Sequence, residues 1–264
     1  MYSKNPLLTE SQALTYLCSA FGIIFLIWIW YSLSFYSINH GLTFPSPNTI
    51  YSGLIHLLNT EYAGGFLHEH TFESLKKYSV GFLLAIITGI PLGLIMGWFK
   101  RIDYIITPFF DGLRFIPPIA WVPFAAIWFG THPIGPILII FIGALPPCII
   151  NSYRGAKYIE KNYIEASLML GLSTKTILLE VLLPSALPSI MAGVRVSASV
   201  AWMCLIGAEL LSPSNGLGSM MVKAQSSANL EIVIIGMIII GIVGLLIDFF
   251  LNYLNKFINT KYSA

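Results

Sequence analysis

The sequence predicts an all-α integral membrane protein of six transmembrane helices, with a loop of short polar helices between the fourth and the fifth. Three observations carry this. Hydrophobic residues make up 56% of the 264 residues and charged residues 10%, with a mean hydropathy of +0.78, outside the range of a water-soluble domain. Several uncharged runs reach the roughly 20 residues a helix needs to cross a hydrocarbon core of about 30 Å. Against this background one segment, Glu165 to Pro184 (EASLMLGLSTKTILLEVLLP), is polar and punctuated by helix start and stop signals.

In chain order, the uncharged run Ala13–Tyr36 is the first span, 13–36. Its apolar stretch exceeds a signal-peptide core and no small-residue cleavage site follows, so it is expected to stay attached. In Pro45-Ser46-Pro47-Asn48-Thr49-Ile50, Ser46 is placed to cap a helix whose first residue is Pro47. Ile50, Leu54, Leu57 and Leu58 then share a face, which predicts a short amphipathic helix on the outer surface. The second span is 75–99. The uncharged run Phe115–Tyr153 is too long for one pass and carries the turn signal Thr131-His132-Pro133-Ile134-Gly135-Pro136, which divides it into spans 104–130 and 134–153. The last two spans, 189–211 and 231–251, keep apolar centres, and the polar loop occupies 157–184. With no internal repeat or low-complexity tract, residues 1–264 read as one domain.

Basic residues near span ends are retained in the cytoplasm. An inside N-terminus puts Lys4, Lys100, Arg101, Arg154, Lys157, Lys161, Lys175, Lys256 and Lys261 inside, against Lys76, Lys77 and Lys223 outside, so both termini are expected to be cytoplasmic. All five histidines, His40, His56, His68, His70 and His132, then fall outside. His68 and His70 lack further ligands at convincing spacing, so no metal is expected. Cys18, Cys148 and Cys204 lie in apolar segments and support neither a disulfide framework nor a metal site. A net charge of +2 without a basic run argues against nucleic acid.

In the loop, a helix from about Lys157 to Leu170 should end at Gly171, the residue that most readily takes a left-handed C-cap. Ser173 then caps a second helix, expected to stop at Pro184. Leu168, Met169, Leu172, Ile177, Leu178, Val181 and Leu182 are too apolar for water, so one face should be buried against protein. Packing on its own helices and docking of a partner both fit these residues.

A resemblance favours docking. Glu165-Ala166-Ser167, then Gly171, then Val181, Leu183 and Pro184 resemble the signature of the membrane permease subunits of binding-protein-dependent ABC importers, EAA, three residues, Gly, nine residues, Ile-x-Leu-Pro. Ser167 for Ala and Val181 for Ile are the departures. Phe44-Pro45-Ser46-Pro47, Gly89-Ile90-Pro91-Leu92-Gly93, Arg114 to Pro123, Ile127-Trp128-Phe129-Gly130, Leu183 to Pro188 and Gly216-Leu217-Gly218 look like the branch that handles nitrate, sulfonates and taurine. The resemblance covers nearly the whole chain and implies the type I importer permease fold. It further implies a bacterial inner-membrane homodimer served by two cytoplasmic ATPases and an exterior solute-binding protein. In such a family Glu165 approaches a basic residue of the ATPase, and Ala166, Ser167 and Gly171 let the loop seat in a groove. ATP and Mg are expected in the partner and no cofactor in this chain, which has no GxxxxGK[ST] and no Gly-Lys dipeptide.

For the pathway, ionisable residues in spans are costly and face interiors, cavities or partners. That singles out Asp111, Arg114, Arg195 and Glu209. Snorkelling accounts for Arg114 and Arg195, Asp111 is one turn from Arg114, and Glu209 is expected to be structural or gating. Pro117 and Pro118 break span three and free carbonyls that protein or a wet cavity must satisfy. The expected lining is therefore Pro117, Pro118, Trp121, Pro123 and Trp128, with Trp202 and Glu209 from span five. Gly193, Ser197 and Ala201 recur every fourth residue and are expected at a helix contact or the two-fold interface. A secondary carrier or channel also accommodates six spans but needs no capped loop of this kind. An intramembrane enzyme lacks its catalytic groups, since no HExxH occurs and every histidine lies outside.

Overall fold

A computed structural model describes residues 6–39, 44–211 and 215–262; Lys4 and His40 lie outside the described residues. Its helices are α1 (Pro6–Asn39), α2 (Pro47–Asn59), α3 (Leu67–Trp98), α4 (Lys100–Arg114), α5 (Val122–Phe129), α6 (Ile134–Lys157), α7 (Lys161–Met169), α8 (Thr174–Thr176), α9 (Leu183–Leu211), α10 (Leu217–Ser226) and α11 (Leu230–Tyr262). Five segments are long and apolar enough to cross a membrane, and a sixth forms if the bent pair α4 and α5 counts as one.

The centre of the bundle is α6, held between α3 and α9. Residues Gly81, Ala85, Gly89, Gly93 and Gly97 recur every fourth position of α3 and form a stripe of minimal side chains. A Cβ on Gly81 would meet the Ile140 side chain at 2.8 Å, on Gly89 the Cys148 Cβ at 2.9 Å, and on Gly93 the Ser152 Cβ at 2.8 Å. Removing these Cβ atoms lets two backbones approach, which supplies van der Waals contact where lipid offers no hydrophobic drive. The pairings rise together along both chains, so α3 and α6 run parallel. The intervening α4 and α5 must therefore carry the chain back across the layer.

On its other face α6 meets α9 antiparallel. Ser189 Oγ donates to the Asn151 carbonyl (2.7 Å) and Ser197 Oγ to the Ala144 carbonyl (2.7 Å). Gly193, Ser197 and Ala201 are all buried at this seam or just behind it, so they join helices within one chain and are not available to a two-fold interface. At Gly193 a Cβ would lie 2.5 Å from the Asn151 Cβ and 3.1 Å from the Pro147 carbonyl. Gly193→Leu is accordingly expected to cost at least the ~1–3 kcal/mol typical of overpacking, read as a lower thermal midpoint in detergent. Ala192→Leu, one residue away on an exposed face, should stay within about 0.5 kcal/mol of the parent.

The periphery is simpler. Ser46 caps α2 by accepting the Thr49 N–H (3.2 Å), with Pro47 as the first helical residue. Ile50 and Leu57 are buried and Leu54 is partly buried against the core, whereas Leu58 stays exposed. Long α1 is apolar around most of its circumference and largely bare, as a helix in lipid should be. It is tied down near its end, where Trp30 Nε1 donates to the Pro45 carbonyl (3.1 Å).

The span anticipated at 104–130, with its break expected at Pro117 and Pro118, is two helices bent by 83° at residues 115–117, and Pro118–Trp121 opens the second arm. Each of Ile116 and Pro117 precedes a proline and is pushed out of helical geometry, and Pro117 is extended at φ −56°, ψ 134°. Pro184, expected to stop a helix, does not. A π-helical turn, Ile177–Leu182, leads straight into α9, with the Leu183 N–H donating to the Leu178 carbonyl. The widened turn relieves the clash a proline ring makes four residues back, which is how a proline survives inside a continuous helix.

Candidate functional site

The loop between α6 and α9 lies at the end of the bundle that carries Arg154, Lys157 and Lys175. It starts later than the expected Lys157, because α6 ends there and Glu160 is extended before α7. Gly171 closes α7 with φ +72°. Its N–H donates to the Leu168 carbonyl (3.0 Å) and the Leu172 N–H to the Ser167 carbonyl (3.2 Å), a complete Schellman cap. Ser173 Oγ then accepts the Thr176 N–H (3.2 Å) and starts the next helix. Two caps in three residues fix the angle between α7 and α8.

The signature residues divide into two groups. Glu165, Ala166 and Gly171 are exposed, and a Cβ on Gly171 would meet nothing within 4 Å. Ser167 turns inward, 5% exposed, with its Oγ donating to the Tyr163 carbonyl (2.6 Å). Val181, Leu183 and Pro184 are half-buried at the base of α9. Of the apolar residues, Ile177 and Leu182 are buried and Leu172, Leu178 and Val181 half-buried, but Leu168, Met169 and Leu170 are 59%, 88% and 78% exposed. The tip of α7 is thus an acidic and apolar patch that this chain leaves uncovered. Leu170 was not among the residues expected there, although it belongs to the same apolar run.

Glu209, expected to be structural or gating and named with the pathway lining, is fully buried. Its carboxylate accepts from Lys77 Nζ (2.9 Å), Ser74 Oγ (2.8 and 2.9 Å) and the Gly218 N–H (3.0 Å). Lys77, assigned to the exterior, is 3% exposed and also donates to the Asn215 carbonyl. Such a carboxylate fastens α3, α9 and the start of α10 together. Trp202 is likewise buried, donating to the Ile240 carbonyl (3.1 Å) and meeting Tyr78 edge-on.

Arg195 does not merely snorkel, since Nε lies 3.0 Å from Asp248 on α11. Arg114 Nε lies 2.8 Å from Asp111, one turn back. Of the expected lining, Pro117, Pro123 and Trp128 are exposed and Pro118 and Trp121 half-buried along the bent segment. On the far side His70 is buried against the Tyr62 carbonyl (2.9 Å) and His68 stacks on Phe66.

The chain is thus an all-helical bundle built for lipid, with a rigidly capped loop left bare at its basic end and a broken helix beside its core. The chain belongs to the family of binding-protein-dependent transport system inner membrane components, whose model matches residues 89–261. It is 41% identical over 227 residues to a putative ABC transporter permease protein of Methanocaldococcus jannaschii, covering 86% of this chain and 85% of that one. It is 29% identical over 232 residues to the taurine transport system permease protein of Escherichia coli strain K12 (88% and 84% covered). With the nitrate import permease protein of a Synechocystis strain the identity is 35% over 187 residues (71% and 68% covered). The fold is that of the inward-facing MetNI methionine ABC transporter chain, at TM-score 0.65 and 20% identity over 73% of this chain and 95% of that one. The chain is therefore a permease subunit of an ABC importer, a transport component of the inner membrane and not an enzyme, in a class that works with an ATPase and a solute-binding protein.

Proposed function

We propose that the chain pairs with a second copy and conducts a small anion, of the sulfonate, taurine, nitrate or bicarbonate kind, from an exterior binding protein to the cytoplasm. Two cytoplasmic ATPases, which hold the ATP and Mg, dock on the paired α7 tips. Both termini and the α6–α9 loop lie on the cytoplasmic side, and the bent segment with Pro117, Pro118, Trp121, Pro123 and Trp128 lines the path. The observation that carries the coupling role is the uncovered α7 tip. Glu165 offers a carboxylate to a basic partner, and Leu168, Met169 and Leu170 lack the cover that residues so apolar require. Val181, Leu183 and Pro184 root the loop in α9, so a pull on α7 passes through the doubly capped turn and then along the continuous helix from Thr174 into the bundle. The names of the taurine and nitrate relatives support a solute bearing an oxyanion group, a sulfonate in the taurine zwitterion and the whole ion in nitrate.

The test is uptake into proteoliposomes containing the permease, its ATPase and its binding protein, with ATP supplied on the ATPase side. Radiolabelled taurine and nitrate are offered, and unlabelled sulfonate, bicarbonate and ethylammonium compete. ATP-dependent uptake of an anion that ethylammonium does not reduce supports the reading. Uptake that proceeds equally without ATP contradicts it and favours a carrier or channel.

A further inference from the structure

The helix α4 is amphipathic in the inverse sense to a helix in water. Asp103, Thr107, Asp111 and Arg114, spaced 4, 4 and 3 residues apart, share one face. Its other side leaves large side chains bare, with Tyr104 77%, Ile105 66% and Phe109 73% exposed. The apolar side suits lipid or a second copy, and the polar side turns towards α6. There Tyr153 Oη donates to Asp103 (2.8 Å), Thr107 Oγ1 to Asp103 (2.6 Å), and Lys157 Nζ lies 3.4 Å from the same carboxylate.

Between the two helices is a cleft of about 360 Å³ whose charged lining is Asp111, Arg114, Arg154 and Lys157. The lining carries three cations and one anion. Lys157 is engaged by Asp103 and Arg114 by Asp111, while Arg154 has no carboxylate partner among the described residues. Arg114 also borders a second cleft of about 440 Å³, walled by Phe110, Pro118, Trp121, Phe141 and Pro147 and almost wholly apolar. The indole N–H of Trp121 is buried without an acceptor. A cationic compartment thus adjoins an apolar one, with the Arg114 guanidinium at the junction.

We propose that this pair of clefts is an anion site on the inner half of the solute path, holding an oxyanion head by Arg154 and Arg114 and a short apolar body against Trp121 and Phe110. The inference rests on the importer reading above and makes it narrower, since it selects an organic sulfonate over nitrate or bicarbonate. A spherical or planar inorganic anion would leave the apolar compartment empty. Low-dielectric walls and a surplus of positive charge raise the local concentration of anions, and guanidinium matches the oxygens of a sulfonate in paired hydrogen bonds. A phospholipid headgroup offers the same oxyanion chemistry, so the experiment separates the two sources.

The full chain, co-purified with its ATPase, is placed in phosphatidylcholine nanodiscs and titrated calorimetrically with ethanesulfonate, and with ethylammonium as the opposite charge. Saturable binding of ethanesulfonate alone is expected, weakened about tenfold or more by Arg154→Gln, the effect of removing a charge-assisted hydrogen bond, and only partly restored by Arg154→Lys, which returns the charge without the paired geometry. Arg154 is exposed at the end of α6, so Arg154→Gln should keep the ATPase bound. Ethanesulfonate binding that is absent, or unchanged in Arg154→Gln, while the ATPase stays bound overturns the site and leaves the permease reading standing. Native mass spectra in which the parent retains phosphatidylglycerol, Arg154→Gln does not, and ethanesulfonate fails to bind assign the cleft to lipid and overturn the solute role. A chain that binds no ATPase overturns the importer reading, and the site with it.

Discussion

Gly171→Asp is expected to abolish ATP-driven uptake while leaving the protein in the membrane. Gly171 sits at φ +72° and completes the Schellman cap of α7. Aspartate tolerates the left-handed region better than most side chains, so its backbone cost falls below the roughly 1–2 kcal/mol of other L-residues, and the loss comes mainly from a carboxylate placed at the negative end of the helix dipole on the exposed docking tip. The loss falls on a loop outside the bundle, so insertion and α3–α6–α9 packing should be unchanged. Glu165→Lys reverses the charge of the exposed tip without touching the cap and should release the ATPase as well. In both variants co-purified ATPase should fall about tenfold or more, equivalent to ~1.4 kcal/mol or more of lost docking free energy.

Gly171→Asn separates conformation from charge. Asparagine tolerates the left-handed region and carries no charge, so most of the uptake should remain. Normal transport by Gly171→Asp or by Glu165→Lys would remove α7 from the coupling role.

The second large effect concerns the buried pair. Glu209→Ala leaves the Lys77 ammonium without its carboxylate and removes the acceptor for Ser74 Oγ and the Gly218 N–H, all inside the bundle. Deleting one member of a buried pair typically costs ~3–5 kcal/mol, because the remaining charge stays desolvated. The thermal midpoint in detergent should therefore fall sharply. Lys77→Met in the Glu209→Ala background removes both charges and should recover part of the loss, so the two changes must not add. Purely additive losses would show that the pair is not the fastener described. Gly216, at φ +151° with its Cβ position facing the Glu209 carboxylate, explains why the turn before α10 carries glycine there.

The spans and the two caps of the loop were legible because each depends on a local pattern, an apolar run or a Ser or Gly at a helix boundary. Lys77 was not, because counting cations one at a time cannot see a carboxylate 132 residues away in the chain. The same limit hid Asp248 as the partner of Arg195. Gly193, Ser197 and Ala201 announced a close helix contact, but spacing does not say whether the partner helix is α6 or a second copy. The stripe of Gly81, Ala85, Gly89, Gly93 and Gly97 and the polar face of α4 are both periodic in the sequence, but spacing alone names no partner for either. Pro184 misled because proline stops helices through a lost donor and a clash, and a π-helical turn removes the clash.

The most direct measurement is the composition of the complex. The tagged chain, solubilised gently from cells shown to express a cognate ATPase, is analysed by mass spectrometry for what co-purifies and in what ratio. A P-loop ATPase in one-to-one ratio with a paired permease is the expected result. A homo-oligomer with no ATPase would contradict it.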